Sequence, residues 1–191
     1  MFENIKKLNE LKKEAKNAER IITDKDGNQI IKMTVNDDSQ FLSPYYADES
    51  IVSSEVADFL EHHTRIRDKG KDVVVIVQSD CIDDNEKVEY SKGIRNYYRS
   101  KFLDVTQEMK EQFVIAIIMA TIGLLTFALA IILNYLNISS IVLEVIDIVG
   151  WVFMWETIDL LLLQRKVLKI SQMKFCKLFN ARVEFVSKES E

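Results

Sequence analysis

The sequence predicts an α+β membrane protein: a two-helix transmembrane hairpin, extended into a cytosolic helical stalk, that carries a small α/β cytosolic domain. Three observations carry this expectation. From Phe113 to Leu133 run 21 uncharged, mostly aliphatic residues, which as a helix at about 1.5 Å per residue match the hydrocarbon thickness of a bilayer. A second apolar stretch, Ile141 to Leu163, follows after a short polar link. The flanks, by contrast, are dense in charge and alternate helix-like with strand-like patterns.

Composition sets the frame. Of 191 residues 48% are hydrophobic and 29% charged, with one Pro and five Gly, which excludes disordered, collagen-like and disulfide-scaffold chains. No apolar segment of signal-peptide type occurs in the Lys- and Glu-rich start, so the run from Phe113 is expected to direct insertion. The chain divides into a cytosolic α/β domain (1–83), a juxtamembrane helix (84–112), a first span (113–133), an external turn (134–140), a second span (141–163) and a basic helix with a terminal strand (164–191).

Within the first domain, Leu8, Leu11, Ala15, Ala18 and Ile22 recur at helical spacing among Lys, Glu and Asn, the pattern of an amphipathic helix. Ile21 to Thr23 and Gln29 to Val35 flank Asp24-Lys25-Asp26-Gly27-Asn28 and predict a β-hairpin. Asp24, Asp26 and Asn28 imitate the start of a calcium loop, but Gln29 and Val35 stand where such a loop requires Gly and a bidentate Glu. Asn36 to Tyr46 is a polar loop with the single Pro. Ser53 or Ser54 then caps a helix whose Val56, Phe59, Leu60, His63 and Ile66 share a face and which Gly70 ends. His63 is expected as a hydrogen-bonded residue of that face, and with His62 it makes a weak case for metal; no metal or cofactor is expected.

Val73 to Val77 is an unbroken aliphatic run and predicts a buried central strand. Asp80, Cys81, Asp83 and Asp84 follow it directly, at the end of a strand where α/β sheets tend to hold ligands, and form the candidate ligand site of the soluble part. Two other readings attach to the same residues. Asp83 or Asp84 suits the N-terminus of the next helix, and an enzyme centred on Asp80, Cys81 and Asp83 is the more remote alternative, because the carboxylates disfavour a thiolate. Lys87 replaces the Arg that a Cys-x5-Arg phosphatase loop needs.

From Asp84, Val88, Tyr98, Phe102, Val105 and Met109 fall at heptad-like spacing without a Pro, predicting one helix that runs into the first span. Val167, Leu168, Ile170 and Phe175 prolong the second span in the same way, and Arg182 to Val186 alternates as a strand able to return to the N-terminal sheet. The link of two Asn and two Ser carries no cation, whereas Arg95, Arg99, Lys101 and Lys110 precede the first span and Arg165, Lys166, Lys169, Lys174, Lys177 and Arg182 follow the second. This places both termini in the cytosol of a cell whose inner membrane the chain crosses twice. Residues 1–112 carry a net charge of −5 and residues 164–191 a net +4, so Arg165, Lys166, Lys169, Lys174 and Lys177 are candidate contacts for anionic lipid, and nucleic acid is not an expected partner. Cys81 and Cys176 both fall on the reducing side and are expected as thiols.

The anomaly is the acid in the second span. Glu144, Asp147, Glu156 and Asp159 each cost up to about 2.5 to 3.5 kcal/mol at a span's centre. On a helical wheel Glu144, Asp147, Trp151, Trp155 and Asp159 form one acidic and aromatic stripe, with Glu156 apart. The face of Ile146, Val149, Phe153 and Leu160 suits lipid, so the stripe is expected to face the first span or another subunit. The first span offers Ala116, Ala120 and Gly123 for close packing but no cation. Three readings remain open: hydrogen-bonded glue between subunits, an ion or proton path, or a register in which Glu156 and Asp159 reach the inner surface beside Arg165 and Lys166.

Ser79-Asp80-Cys81-Ile82-Asp83-Asp84, Ile94-Arg95-Asn96-Tyr97-Tyr98 and Gly150 through Leu160 resemble segments of uncharacterised bacterial two-span membrane proteins with a cytosolic N-terminal domain. The resemblance implies the same hairpin and no particular activity. The expectation is a non-enzymatic homo-oligomer whose cytosolic domain binds a protein partner or ligand. The alternative is a small oligomeric cation or proton channel.

Overall fold

The structure, a computed structural model, describes residues 6, 7, 10, 11, 22–45, 49–66 and 72–187. The face expected from Leu8 to Ile22 lies largely outside them, as does Gly70. The chain is mostly helical, with one small parallel sheet, and forms two compact units: 1–96 together with 180–191, and 97–179.

The first unit is built on strands β1 (Gln29–Thr34), β2 (Val73–Gln78) and β3 (Arg182–Val186), all parallel, in the order β1-β2-β3. The aliphatic run is the central strand, and the alternating segment near position 184 returns beside it. Register places Ile31, Val75 and Val183 in one row and Met33, Val77 and Phe185 in the next, on one face. Lys32, Ile76 and Glu184 share a row on the other. Val73, Val75 and Val77 are fully buried, which suits the central strand of a parallel sheet.

The expected hairpin before β1 shrinks to a single bridge, Thr23 with Gln29, closed by Asp24–Asn28 backbone bonds around Gly27 in the left-handed region (φ 81°). The polar loop contributes more than its composition suggests. Phe41 is buried and stacks on Tyr90 at 4.5 Å, and Leu42 bridges Val52.

Helix α1 (Ser54–His63) ends at Thr64, not at Gly70, because Thr64 bonds back to the Leu60 carbonyl through both N–H and hydroxyl. Its buried stripe is Ala57, Leu60 and Thr64. His63 therefore lies at the exposed edge, its ring on Phe59 and its Nδ1 2.8 Å from the Phe59 carbonyl. Ser53 occupies the cap position, yet its buried hydroxyl has no partner.

Helix α2 (Asp84–Tyr135) is one uninterrupted run of 52 residues, about 78 Å long at the usual rise. In the first unit it buries Tyr90 and Ile94, and Gly93 lets the backbone at Val52 approach: a Cβ there would meet Val52 N at 3.3 Å and Leu42 Cδ2 at 2.7 Å. Among the described residues α2 is the one helix long and apolar enough to cross a membrane, judged by length and composition.

In the second unit α2 packs antiparallel against α3 (Ser140–Ile158), a π-helical turn (Asp159–Gln164) and α4 (Arg165–Phe179). The turn between them puts Asn137 in the left-handed region (φ 55°), where Asn is tolerated, and bonds Asn137 N to the Asn134 carbonyl. The packed face of α2 includes Phe102, Val105, Met109, Gln112, Ala116, Met119, Gly123, Thr126, Ala130 and Leu133, in steps of three and four. That is the pattern of an antiparallel coiled coil, with small residues seven apart at Ala116, Gly123 and Ala130.

Opposite it, Leu143, Ile146, Gly150, Phe153, Thr157, Leu160, Gln164 and Leu168 take steps of three and four until two fours come in succession. The π turn absorbs that extra residue. At Gly150 the Phe127 ring lies against the backbone: a Cβ would lie 2.8 Å from it. Further along, Gln172 donates to Thr106 Oγ1 at 2.9 Å and Tyr98 stacks on Phe175.

Candidate functional site

The carboxyl ends of β2 and β3 open into a cavity of about 530 Å³ lined by Ser79, Asp80, Ile82, Lys87, Phe185, Val186 and Ser187. Parallel strands place these residues side by side, because Ser79 N donates to the Val186 carbonyl and so sets the two strand ends level. Asp80 Oδ1 accepts a hydrogen bond from the Ser187 hydroxyl at 2.8 Å, tying the two rims together. Phe185, Val186 and Ile82 complete a lining that is mainly polar. The mouth thus offers two hydroxyls, a carboxylate and an ammonium on a mainly polar surface, which suits a small polar ligand or a polar peptide side chain.

Of the four expected site residues, Asp80 alone lines the cavity. Asp83 is the helix cap: its Oδ1 accepts from Asn85 N and Glu86 N at 2.8 Å each, while Asp83 N donates to Glu86 Oε2 at 2.7 Å. This reciprocal capping box satisfies the first turn of α2 and complements its dipole. Asp84 accepts from Lys87 Nζ at 2.7 Å, and that bond and charge hold its carboxyl below the usual range. Cys81 is exposed, its thiol 3.0 Å from the Ser79 hydroxyl. Lys87 was legible only as the wrong residue for a phosphatase loop. It lies one turn into α2, which returns it to the strand ends.

Gln29 is the other functional-looking residue that sequence reasoning passed over. Buried at the start of β1, it donates from Nε2 to the His63 carbonyl at 2.6 Å and accepts Arg65 N at 3.0 Å. It closes the end of α1 and is a structural brace. Among the described residues no three His, Cys, Asp or Glu converge as a metal site.

In the second unit the acidic stripe does not face α2. Glu144, Asp147, Trp151, Trp155 and Glu156 are all exposed, Trp151 by 67% and Trp155 by 71%. The supposed lipid face is instead the packed one, since Ile146, Phe153 and Leu160 turn to α2, with only Val149 of that set exposed. The reason is steric: Gly150 and Thr157 share that face and admit close approach, and Trp151 and Trp155 on the other do not. Trp151 still meets the edge of Phe127 at 5.9 Å.

Asp159, half-buried at the start of the π turn, accepts from Gln164 Nε2 at 2.8 Å. Nearby, the Arg165 guanidinium lies over the Phe113 ring at 5.5 Å, and Gln112 Oε1 is buried without a partner. Lys166 and Lys169 are exposed, and Lys174 and Lys177 half-buried.

Comparison with family models, with curated proteins and with solved structures returns no match.

Proposed function

We propose that this chain is a non-enzymatic, oligomeric integral membrane protein in which α2 and α3 cross the bilayer as a hairpin with both termini cytosolic. In this reading the α/β unit takes a ligand or partner side chain at the cavity between the β2 and β3 ends. The observation that carries it is α2 itself. One helix starts on the capping box at the cavity rim and ends, without a break, in a segment whose outer surface is apolar and exposed. Leu124, Leu125 and Ile131 are 62, 65 and 71% exposed, and Ile141, Ile148 and Val152 on α3 are 72, 63 and 61% exposed.

Exposed apolar surface on that scale calls for lipid or protein cover. The lack of Lys and Arg in the link between the helices, set against the basic flanks, supports an inward orientation for both ends. Arg165, Lys166 and Lys169 would then meet anionic headgroups. The test is fractionation with an alkaline wash, followed by protease treatment of sealed inverted and right-side-out vesicles. The chain is expected in the washed membrane pellet, with the α/β unit digested only from the cytosolic side. Recovery in the soluble fraction, or digestion from the opposite side, overturns the reading.

A second reading, a small cation or proton channel, is favoured by one observation: Glu144 and Asp147 are exposed, so an oligomer that turned these faces inward would line a path with acid. It predicts that Asp147→Asn lowers cation flux into liposomes at least about tenfold while leaving subunit number unchanged. Unchanged flux removes this reading and leaves the first intact.

A further inference from the structure

The outer edge of β3 is an unpaired strand edge with a self-complementary sequence. Because the Val186 carbonyl accepts from Ser79 N, the backbone groups of Arg182, Glu184 and Val186 turn towards β2. Those of Val183 and Phe185 therefore turn outward, and among the described residues no strand pairs with them. Arg182 and Glu184 share one face of the strand, 3.6 Å apart at their charged ends, with side chains 76 and 46% exposed.

We propose that a second copy of this chain pairs with β3 antiparallel about a two-fold axis at Val183, joining two three-stranded sheets into one of six strands. Backbone pairing limits the register and charge selects it. Antiparallel pairing needs residues with outward backbone groups opposite one another, which an axis at Val183, Glu184 or Phe185 provides; an axis at Glu184 sets that carboxylate opposite its own copy, whereas at Val183 the residue exchanges both hydrogen bonds with its twin. The same register sets Arg182 opposite Glu184 of the second copy, and Glu184 opposite Arg182 of the second copy. Both are non-hydrogen-bonded pairs, where side chains approach most closely. Four charges of alternating sign then form a ring on one face of the sheet. A parallel, in-register neighbour would instead set like charges side by side, so the charge pattern selects the two-fold arrangement. Centring on Phe185 loses both charge pairs.

This goes beyond the membrane reading and is independent of it, since the interface lies wholly within the α/β unit. The test measures self-association of the full chain in detergent micelles by sedimentation equilibrium. Wild type is expected to associate. R182E and E184R alone set like charges in opposition and are each expected to weaken association at least about tenfold. An equimolar mixture of R182E with E184R is expected to recover it, as is the double swap R182E/E184R, because both restore opposite charges across the axis. V183P, which removes an outward N–H and leaves the β2 ladder intact, is expected to abolish it. Recovery in the mixture excludes misfolding of the single variants. A wild-type chain that stays monomeric, or an association indifferent to the charge reversals and to V183P, overturns the proposal.

Discussion

Tyr90 shows how one side chain joins the long helix to the polar loop of the first unit. Its ring is buried against Phe41, and its hydroxyl donates to Asp38 Oδ2 at 3.1 Å. Burial, then the bond to Asp38 and the negative charges of Asp38, Glu86 and Glu89, raise its pKa well above the usual value of 10. A folded-state value above the unfolded one means that the contribution is complete below about pH 10 and is lost as pH rises towards the folded value. Tyr90→Phe keeps the stack and removes the bond. It is expected to lower stability by about 1 kcal/mol at neutral pH and to flatten the decline above pH 10, as read from denaturant titrations across that range. Neither the stack nor the bond was legible in the sequence, where Phe41 and Asp38 sit in a stretch that composition marks as loop. The nearest signal is the isolated apolar pair Phe41-Leu42 amid polar neighbours, which only a partner distant in sequence explains.

At the level of elements, the long helix was the most legible feature, because a stretch without Pro, with a capping acid at its start and aliphatic residues at its end, has few alternatives. The wheel position of the second helix was the least. Hydration cost asks only that the carboxylates meet the first span or another subunit, and in this pair of helices the small residues at Gly150 and Thr157 occupy the packed face while the stripe stays exposed. The small residues used are Ala116, Gly123 and Ala130, seven apart, whereas Ala120 of the expected set is half-buried. A side chain at position 150 would have to displace the Phe127 ring. Gly150→Ile is therefore expected to destabilise the hairpin by about 1 to 3 kcal/mol. Thermal unfolding in micelles checks this, and a melting temperature equal to wild type would show that the helices are not held at this point. The π turn had a trace in sequence, two successive four-residue steps from Leu160 to Leu168, that heptad reading smooths over.

For the whole molecule, the order of segments along the chain matters as much as their packing. The strand that completes the sheet comes after both helical arms, so β2 has only β1 beside it until more than a hundred further residues have been made. During synthesis the ribosome thus releases a nascent domain whose central strand shows a bare flank, and docking of Arg182–Val186 is the closing step. A chain stopped at residue 181 is expected to be cleaved by protease within β1 and β2, where the full chain resists, as limited digestion of membranes would reveal. Equal resistance would show that two strands suffice. A finished sheet accordingly reports that everything encoded before it, apolar arms included, has already been made.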